Sequence, residues 1–452
     1  MFEKLELVDK INKEWKGRGK NYIGYDLGAG YGEISVFTEQ DLTPATLLSR
    51  KDATVFHFPC ILVKYNGRFY AGFEALSLAG EAESIVFQDL LEIAMKQPTI
   101  VAGGQRFETE YLLGLFLKLT LVLPEQYGKV EKAGGIMFTT HIDEDPALQT
   151  RVYEVLTRAT ANLFHKKTKL YLQTRSESIY YFLMNQEESL YRENTLVCDF
   201  QKDYLKGYFF NRLGNCPPYQ IEINRVDYLD MQVPKEDRGE ALAAASLEAH
   251  QDEVFRQVIL DVESKFDFGL SYLIGDGFKG GWMEQSLVRL CDHGRAFQGN
   301  NLYSLGACYS LRELVAPNPV LQEYIYLSKQ NITHEIGMFC VRQSFLKESS
   351  QPEYITLFSR GSFYKDCKRT FYLLPEGETE LILEARAISE QESRRLSVDL
   401  GELPLKEAGS GKLLVTLEFL EQHILQVSVQ DVGLGQLAPG SGQSIQKTFD
   451  LA

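Results

Sequence analysis

The sequence predicts a two-lobed α/β body followed by a β-sandwich, and three observations carry that prediction. A strand enters a glycine turn in the stretch YIGYDLGAGYGEISVF, and its order of strands and helices recurs from Thr195, again on a strand ending in Asp. Beyond about residue 331, short alternating runs are split by the turn clusters PEGE, EAGSG and LGQLAPGSG, as in an all-β sandwich. Finally, 452 residues with 44% hydrophobic and 12% aromatic content exclude bulk disorder. That length supports about two to four cores.

The elements follow in order. Residues 1–19 read as an amphipathic lead-in helix on Leu5, Leu7, Val8 and Ile11. A strand from Tyr22 reaches the glycine turn, and Glu33–Phe37 returns. Ile61–Tyr65 and Arg68–Ala71 flank Asn66-Gly67, a strong hairpin signal. Helical patterns cover Ile85–Lys96 and Glu108–Leu123. A buried strand Gly135–Thr140, a helix Pro146–Leu163, a strand Lys169–Gln173 and a helix over 176–188 complete the first lobe. Asp145 caps the helix that opens on Pro146.

The second lobe opens with the strands Thr195–Asp199 and Gly207–Asn211, then a long helix over 238–266. Strand Ser271–Ile274 enters the turn GDGFKGG, followed by helix Trp282–Cys291 and a helix from Leu305-Gly306-Ala307 toward Val315. Pro317 and Pro319 mark a boundary. The strands Thr370–Leu374, Glu380–Arg386, Lys412–Leu420 and Ile424–Val429 then belong to the sandwich. The expected domains are 1–194 (insert about 50–128), 195–318 (insert about 225–265), a linker over 319–332, and 333–452.

Charge narrows the functional classes. With 47 Lys plus Arg against 62 Asp plus Glu, the net charge is −15, a poor match to nucleic acid or anionic lipid. The cluster Lys166, Lys167 and Lys169 does not outweigh it. No signal peptide or membrane-spanning run is read. The 7 cysteines include no CxxC pair, which points to reduced thiols and a cytoplasmic setting. His57-Phe-Pro-Cys60 and Cys291-Asp-His293 lack a second pair at zinc spacing, so structural roles are expected there. GxSxG, HExxH and Walker lysine loops are missing.

The chemistry-bearing motif is Gly24-Tyr-Asp-Leu-Gly-Ala-Gly30. Small residues at Gly28, Ala29 and Gly30 let backbone N–H groups curl around a phosphate, and Asp26 at the strand end would orient magnesium through water. Asp26, then Asp199 on a second strand, then Ile274-Gly275-Asp276-Gly277 resemble, in order, the two phosphate loops and the adenosine loop of the actin-like ATPase superfamily. Within it the chain is most similar to the seventy-kilodalton heat-shock chaperones. Phe58-Pro59, the run Arg68 to Leu76, and Asn300 to Ala307 resemble further landmarks of those proteins, and the segments LFSRGSFYKDCKRTFYLLPEGETELILEARA and LSVDLGELPLKEAGSGKLLVTLEFLEQHILQVSVQD resemble their peptide-binding sandwich. The likeness runs from Tyr22 to Leu451. It implies two ribonuclease-H-like lobes, an ATP or ADP site with magnesium, and a peptide groove near Met338, Phe339 and Leu381.

The departures weigh on activity. The second loop, Asp199-Phe-Gln-Lys-Asp-Tyr204, has no glycine where the family has a glycine cradle, although Lys202 offers a point charge. The family's catalytic carboxylate aligns with Thr174-Arg175-Ser176-Glu177, with Glu177 on another helical face. Its catalytic lysine aligns near Gln88-Asp89. The second-lobe insert is short, and the chain ends at Ala452 after the last strand, where the chaperones continue into a helical lid. A lidless groove would exchange peptide quickly. The expectation is a degenerate chaperone-like protein that binds a polypeptide or protein partner and has lost hydrolysis. A slow ATP-dependent peptide-binding chaperone is the alternative, and an actin-like scaffold the second.

Overall fold

The computed structural model describes residues 20–49, 55–124, 133–164, 168–201, 204–214, 217, 219–228, 241–299, 301–328, 331–341, 352–387, 393–404, 411–435 and 438–451, with the side chains of 241–247 and 293 excepted. The lead-in helix, Lys166, Lys167, Lys202 and most of the EAGSG turn lie outside those residues. The fold is mixed α/β, with a C-terminal part made mostly of antiparallel strands. Two compact units divide it: Met1–Arg212 with Ile221–Glu323, and Leu213–Gln220 with Tyr324–Ala452. Among the described residues no helix is long and apolar enough to cross a membrane.

Two mixed sheets of one topology build the first unit. Asn21–Leu27 runs antiparallel to Tyr31–Thr38 and parallel to Gly135–Thr140, which is parallel to Lys169–Gln173. In the second sheet Thr195–Gln201 runs antiparallel to Tyr204–Leu213 and parallel to Leu270–Ile274, itself parallel to Arg295–Gln298. Each sheet therefore places an aspartate, Asp26 or Asp199, near the C-terminal end of its central strand.

Both faces of the first strand are covered, which explains its almost unbroken apolar sequence. Ile23, Tyr25 and Leu27 join Leu112 and Phe116 of helix Thr109–Thr120 and Val152 and Leu156 of helix Pro146–Thr160 in one core. The opposite face carries helix Leu302–Val315, whose Ala307, Cys308 and Leu311 meet Phe37 and Met137. That helix lies so close that a Cβ on Gly306 would stand 2.0 Å from the carbonyl oxygen of Ser178, and one on Gly24 2.3 Å from that of Ser304. Glycine is the residue that permits this contact.

The elements differ from expectation in a few places. Ile85–Phe87 is a strand paired with Leu62–Tyr65, and the helix begins only at Leu90, because Asp89 takes a left-handed φ of 50°. A β-branched and aromatic triplet favours the pleated sheet over the first turn of a helix. Helix Arg175–Leu183 ends before the expected 188, and a hairpin at Thr99–Ala102 and Gln105–Glu108 turns on Gly103-Gly104.

The second unit holds two four-stranded antiparallel sheets. One is ordered Glu353–Phe358, Glu335–Cys340, Glu380–Arg386, Arg394–Asp399; the other Lys368–Leu373, Leu413–Glu421, Ile424–Asp431, Ser444–Asp450. Alternate residues point inward, so Leu383, Val398, Val415, Leu417, Val427 and Val429 form one shared apolar core. Four of these strands follow the expected alternating runs. Glu335–Cys340, Glu353–Phe358, Arg394–Asp399 and Ser444–Asp450 are additional.

Candidate functional site

Asp26 and Asp199 face each other across Arg175. The guanidinium Nη1 donates to Asp199 Oδ2 at 2.7 Å, and Nη2 lies 3.7 Å from Asp26 Oδ2. All three side chains are buried, and the guanidinium also stacks over the Tyr303 ring with its carbon 4.3 Å from the centroid. Asp199 receives two further hydrogen bonds, from Tyr303 Oη at 2.8 Å and Gln201 Nε2 at 2.6 Å. Asp26 is less well served. Among the described residues its Oδ1, Glu33 Oε2 and Arg175 Nε have no hydrogen-bond partner.

Local sequence explains how Arg175 reaches this position. Thr174 caps the helix: its hydroxyl accepts from the Glu177 N–H at 3.1 Å, and Glu177 Oε2 accepts from the Thr174 N–H at 2.6 Å. Glu177 is thus a capping residue facing away from the cleft. Arg175 occupies the first helical position, where the helix dipole disfavours a cation. The compensation is local and strong: Asp26 and Asp199 flank the guanidinium, and Glu144 accepts from Ser176 N at 2.9 Å and from its hydroxyl at 2.8 Å.

Electrostatics follow burial. Desolvation opposes the charge on Arg175, but Asp26, Tyr303 and Asp199 outweigh it and hold the guanidinium charged. Burial pushes the Asp26 carboxyl up, Arg175 draws it back and Asp199 pushes it up again, to about 6. Burial, with Asp26 and Asp276 beside it, raises Glu33 well above the usual carboxylate range. Asp26, Glu33, Arg175, Gln201, Asp276 and Tyr303 line a small solvent-open recess, with Tyr31 and His57 at its side. Lys279 Nζ pairs with Asp276 Oδ1 at 2.6 Å on this rim.

The glycine turns are occupied by the protein itself. Gly28 N–H donates to the Tyr31 carbonyl at 3.1 Å, and a Cβ on Gly28 would stand 2.3 Å from that oxygen. Ala29 is half-buried and Gly30 exposed, with open space beside it. Gly275 adopts φ 99° and lies against the Phe200 carbonyl, where a Cβ would come within 2.2 Å. Gly277 faces the Phe200 ring at 2.4 Å on the same test, and its carbonyl accepts from Trp282 Nε1 at 3.0 Å. Phe200, Phe278 and Trp282 continue as an aromatic cluster.

This arrangement does not fit a magnesium nucleotide. The two aspartates that would orient the metal already share the Arg175 guanidinium, whose buried positive charge would repel a magnesium ion placed between them. The glycines of the turn that resembles an adenosine loop instead accommodate Phe200. The structure thus brings Asp26, Gly275 and Asp276 to one recess, with Asp199 buried behind it on Arg175, Gly28 near Arg175 and Gly277 against Phe200. It adds Arg175, Glu33, Gln201, Phe200 and Tyr303, which motif reading did not single out as site residues. The available signal was Arg175 in the stretch that aligns with the catalytic carboxylate of the chaperones the sequence resembles.

The expected peptide contacts separate. Met338 and Leu381 are buried in the shared core of the second unit, whereas Phe339 is exposed and packs edge-on against Tyr354 at 5.2 Å between centroids. Alternation along Glu335–Cys340 turns Met338 inward and its neighbour outward. Arg386 lies over the Tyr354 ring at 3.9 Å and pairs with Glu384 at 2.8 Å, so the exposed face there is aromatic with a paired charge. In the pair His57 and Cys60, expected to be structural, Cys60 is buried and burial raises its thiol. Among the described residues no group of three His, Cys, Asp or Glu side chains is placed to hold a metal ion.

Comparison with protein families gives two matches. The C-terminal model of a family of unknown function, DUF5716, matches residues 43–329, well over half of the chain. A domain of unknown function, DUF8552, matches residues 332–451. Comparison with curated proteins finds no match.

Proposed function

The chain belongs to the DUF5716 family of unknown function, and we propose that it is a degenerate chaperone-like protein that binds a polypeptide or protein partner without efficient nucleotide hydrolysis. The reading takes the first unit as a pair of actin-like, ribonuclease-H-like lobes and the second as a counterpart of a chaperone sandwich. Its support in the first unit is the repeated sheet topology with one aspartate near the end of each central strand. In the second unit the support is the two antiparallel sheets around one core.

The observation that carries the loss of hydrolysis is Arg175 between Asp26 and Asp199. Phosphoryl transfer depends on a metal and a positioned acid or base. Here a cation of the chain stands where both would act, on a helix whose own acid, Glu177, is committed to capping. Partner binding then falls to the second unit, where exposed Phe339 beside Tyr354 offers an apolar contact.

Calorimetric titration of ATP and ADP with magnesium into the full chain, paired with a turnover assay, tests this reading. No heat and no turnover are expected. Micromolar binding with magnesium-dependent hydrolysis would replace it with the slow ATP-dependent chaperone. Concentration-dependent sedimentation into long polymers would favour the scaffold instead.

A further inference from the structure

We infer that Arg175 is a tethered cation that stands in for a divalent metal between Asp26 and Asp199, latching the two mixed sheets of the first unit together with no ligand. This rests on the reading of the cleft proposed above and adds a role for one residue. Asp26 belongs to the first sheet and Asp199 to the second, and Arg175 starts the helix that follows the first sheet's outer strand. Two carboxylates fixed in a buried space repel each other unless one takes up a proton or a cation lies between them. In a cleft that used a metal, that cation would come from solution. In this chain it is the guanidinium, with Nη1 at 2.7 Å from one acid and Nη2 at 3.7 Å from the other.

The surroundings are built for an arginine. Tyr303 provides a stacking face at 4.3 Å and donates to the same Asp199 oxygen that Arg175 holds. Gly28 borders the second guanidinium nitrogen, its absent Cβ being required by the Tyr31 carbonyl at 2.3 Å. Planarity, a fixed fork of donors and a permanent charge suit this position better than a lysine ammonium. If the guanidinium is the stand-in, removing it exposes an empty two-carboxylate site that accepts a real divalent ion.

The test uses the full chain, with thermal melts and manganese paramagnetic resonance at pH 7.5, in EDTA and in millimolar Mn²⁺. Wild type should bind no Mn²⁺ and melt at the same temperature in both. Arg175→Ala should melt lower in EDTA, bind about one Mn²⁺ and recover at least about half of its lost melting temperature, as mass action predicts for an ion that binds only the folded state. Arg175→Ala with Asp199→Asn should lose that recovery. A folded Arg175→Ala that takes up no Mn²⁺ overturns the inference, as does wild type binding the ion equally well.

Should Arg175→Ala be unfolded in EDTA, refolding in Mn²⁺ supports the inference. If it stays unfolded in both, Arg175→Met with Asp26→Asn and Asp199→Asn removes all three charges together. A folded triple variant supports charge compensation as the role of Arg175, and an unfolded one overturns it. Nucleotide binding by wild type would defeat the functional reading, whereas a missing metal response in the variants defeats only the latch.

Discussion

Arg175 Nη1 lies 2.7 Å from Asp199 Oδ2, with both side chains all but closed to water. A bond of this kind is costly to break from one side, because the remaining charge stays buried without compensation. Asp199→Ala should therefore destabilise the first unit by about 3–5 kcal/mol. The loss is read as a lower urea midpoint, and a change within about 0.5 kcal/mol would mean the pair is dispensable.

Acidity should act through Asp26. Its carboxyl sits near 6 in the folded chain against an ordinary 3.8, with burial as the first cause. As pH rises between those values, the unfolded chain releases its proton first, so this contribution to stability falls through the window and levels off above about 6. Asp26→Asn should flatten the fall between pH 4 and 6 in urea melts. Glu33, also raised, retains a slope of the same sign above its ordinary 4.5 in that variant.

Packing around the cleft gives a paired prediction on two glycines. Gly306→Ala drives a methyl to within 2.0 Å of the Ser178 carbonyl, so the two helices must part, at about 1–3 kcal/mol or more. Gly30→Ala meets nothing within 4 Å and should change stability by less than about 0.5 kcal/mol. Thermal melts of the two variants separate a contact requirement from mere membership of a glycine-rich loop.

In the second unit, Leu381→Ala should cost about 2–5 kcal/mol, because the side chain is buried in the shared core. Phe339→Ala should leave the melting temperature nearly unchanged, since Phe339 is 54% exposed. If the proposed function holds, the same variant should weaken capture of an apolar fluorescent peptide. Equal peptide affinity in Phe339→Ala and wild type would move the contact elsewhere.

Much of the fold was legible because burial leaves a pattern. Gly135–Thr140 is buried at every position and reads as a short apolar run, and the hairpin at Asn66-Gly67 announces its turn. Ile85–Phe87 was misread, since three apolar residues fit a helix or a strand until a partner strand decides. The site was half legible. Asp26 and Asp199 stand out by their place on repeated strands, but the nearness of Arg175 to both is a product of tertiary packing, as is Phe200 filling the space beside Gly275 and Gly277. Met338 and Phe339 are adjacent in sequence, and only the direction of the pleat assigns one to the core and the other to solvent.

A soluble ion can be diluted, chelated or outcompeted, and its occupancy follows the composition of the surrounding fluid. Arg175 is joined by peptide bonds to the same chain as its two acids, so its local concentration is set by covalent reach. Dialysis cannot remove it, and no change in free magnesium or in the balance of ATP to ADP can exchange it. If the proposed latch holds, the cation between Asp26 and Asp199 is thereby independent of the energy supply of the cell.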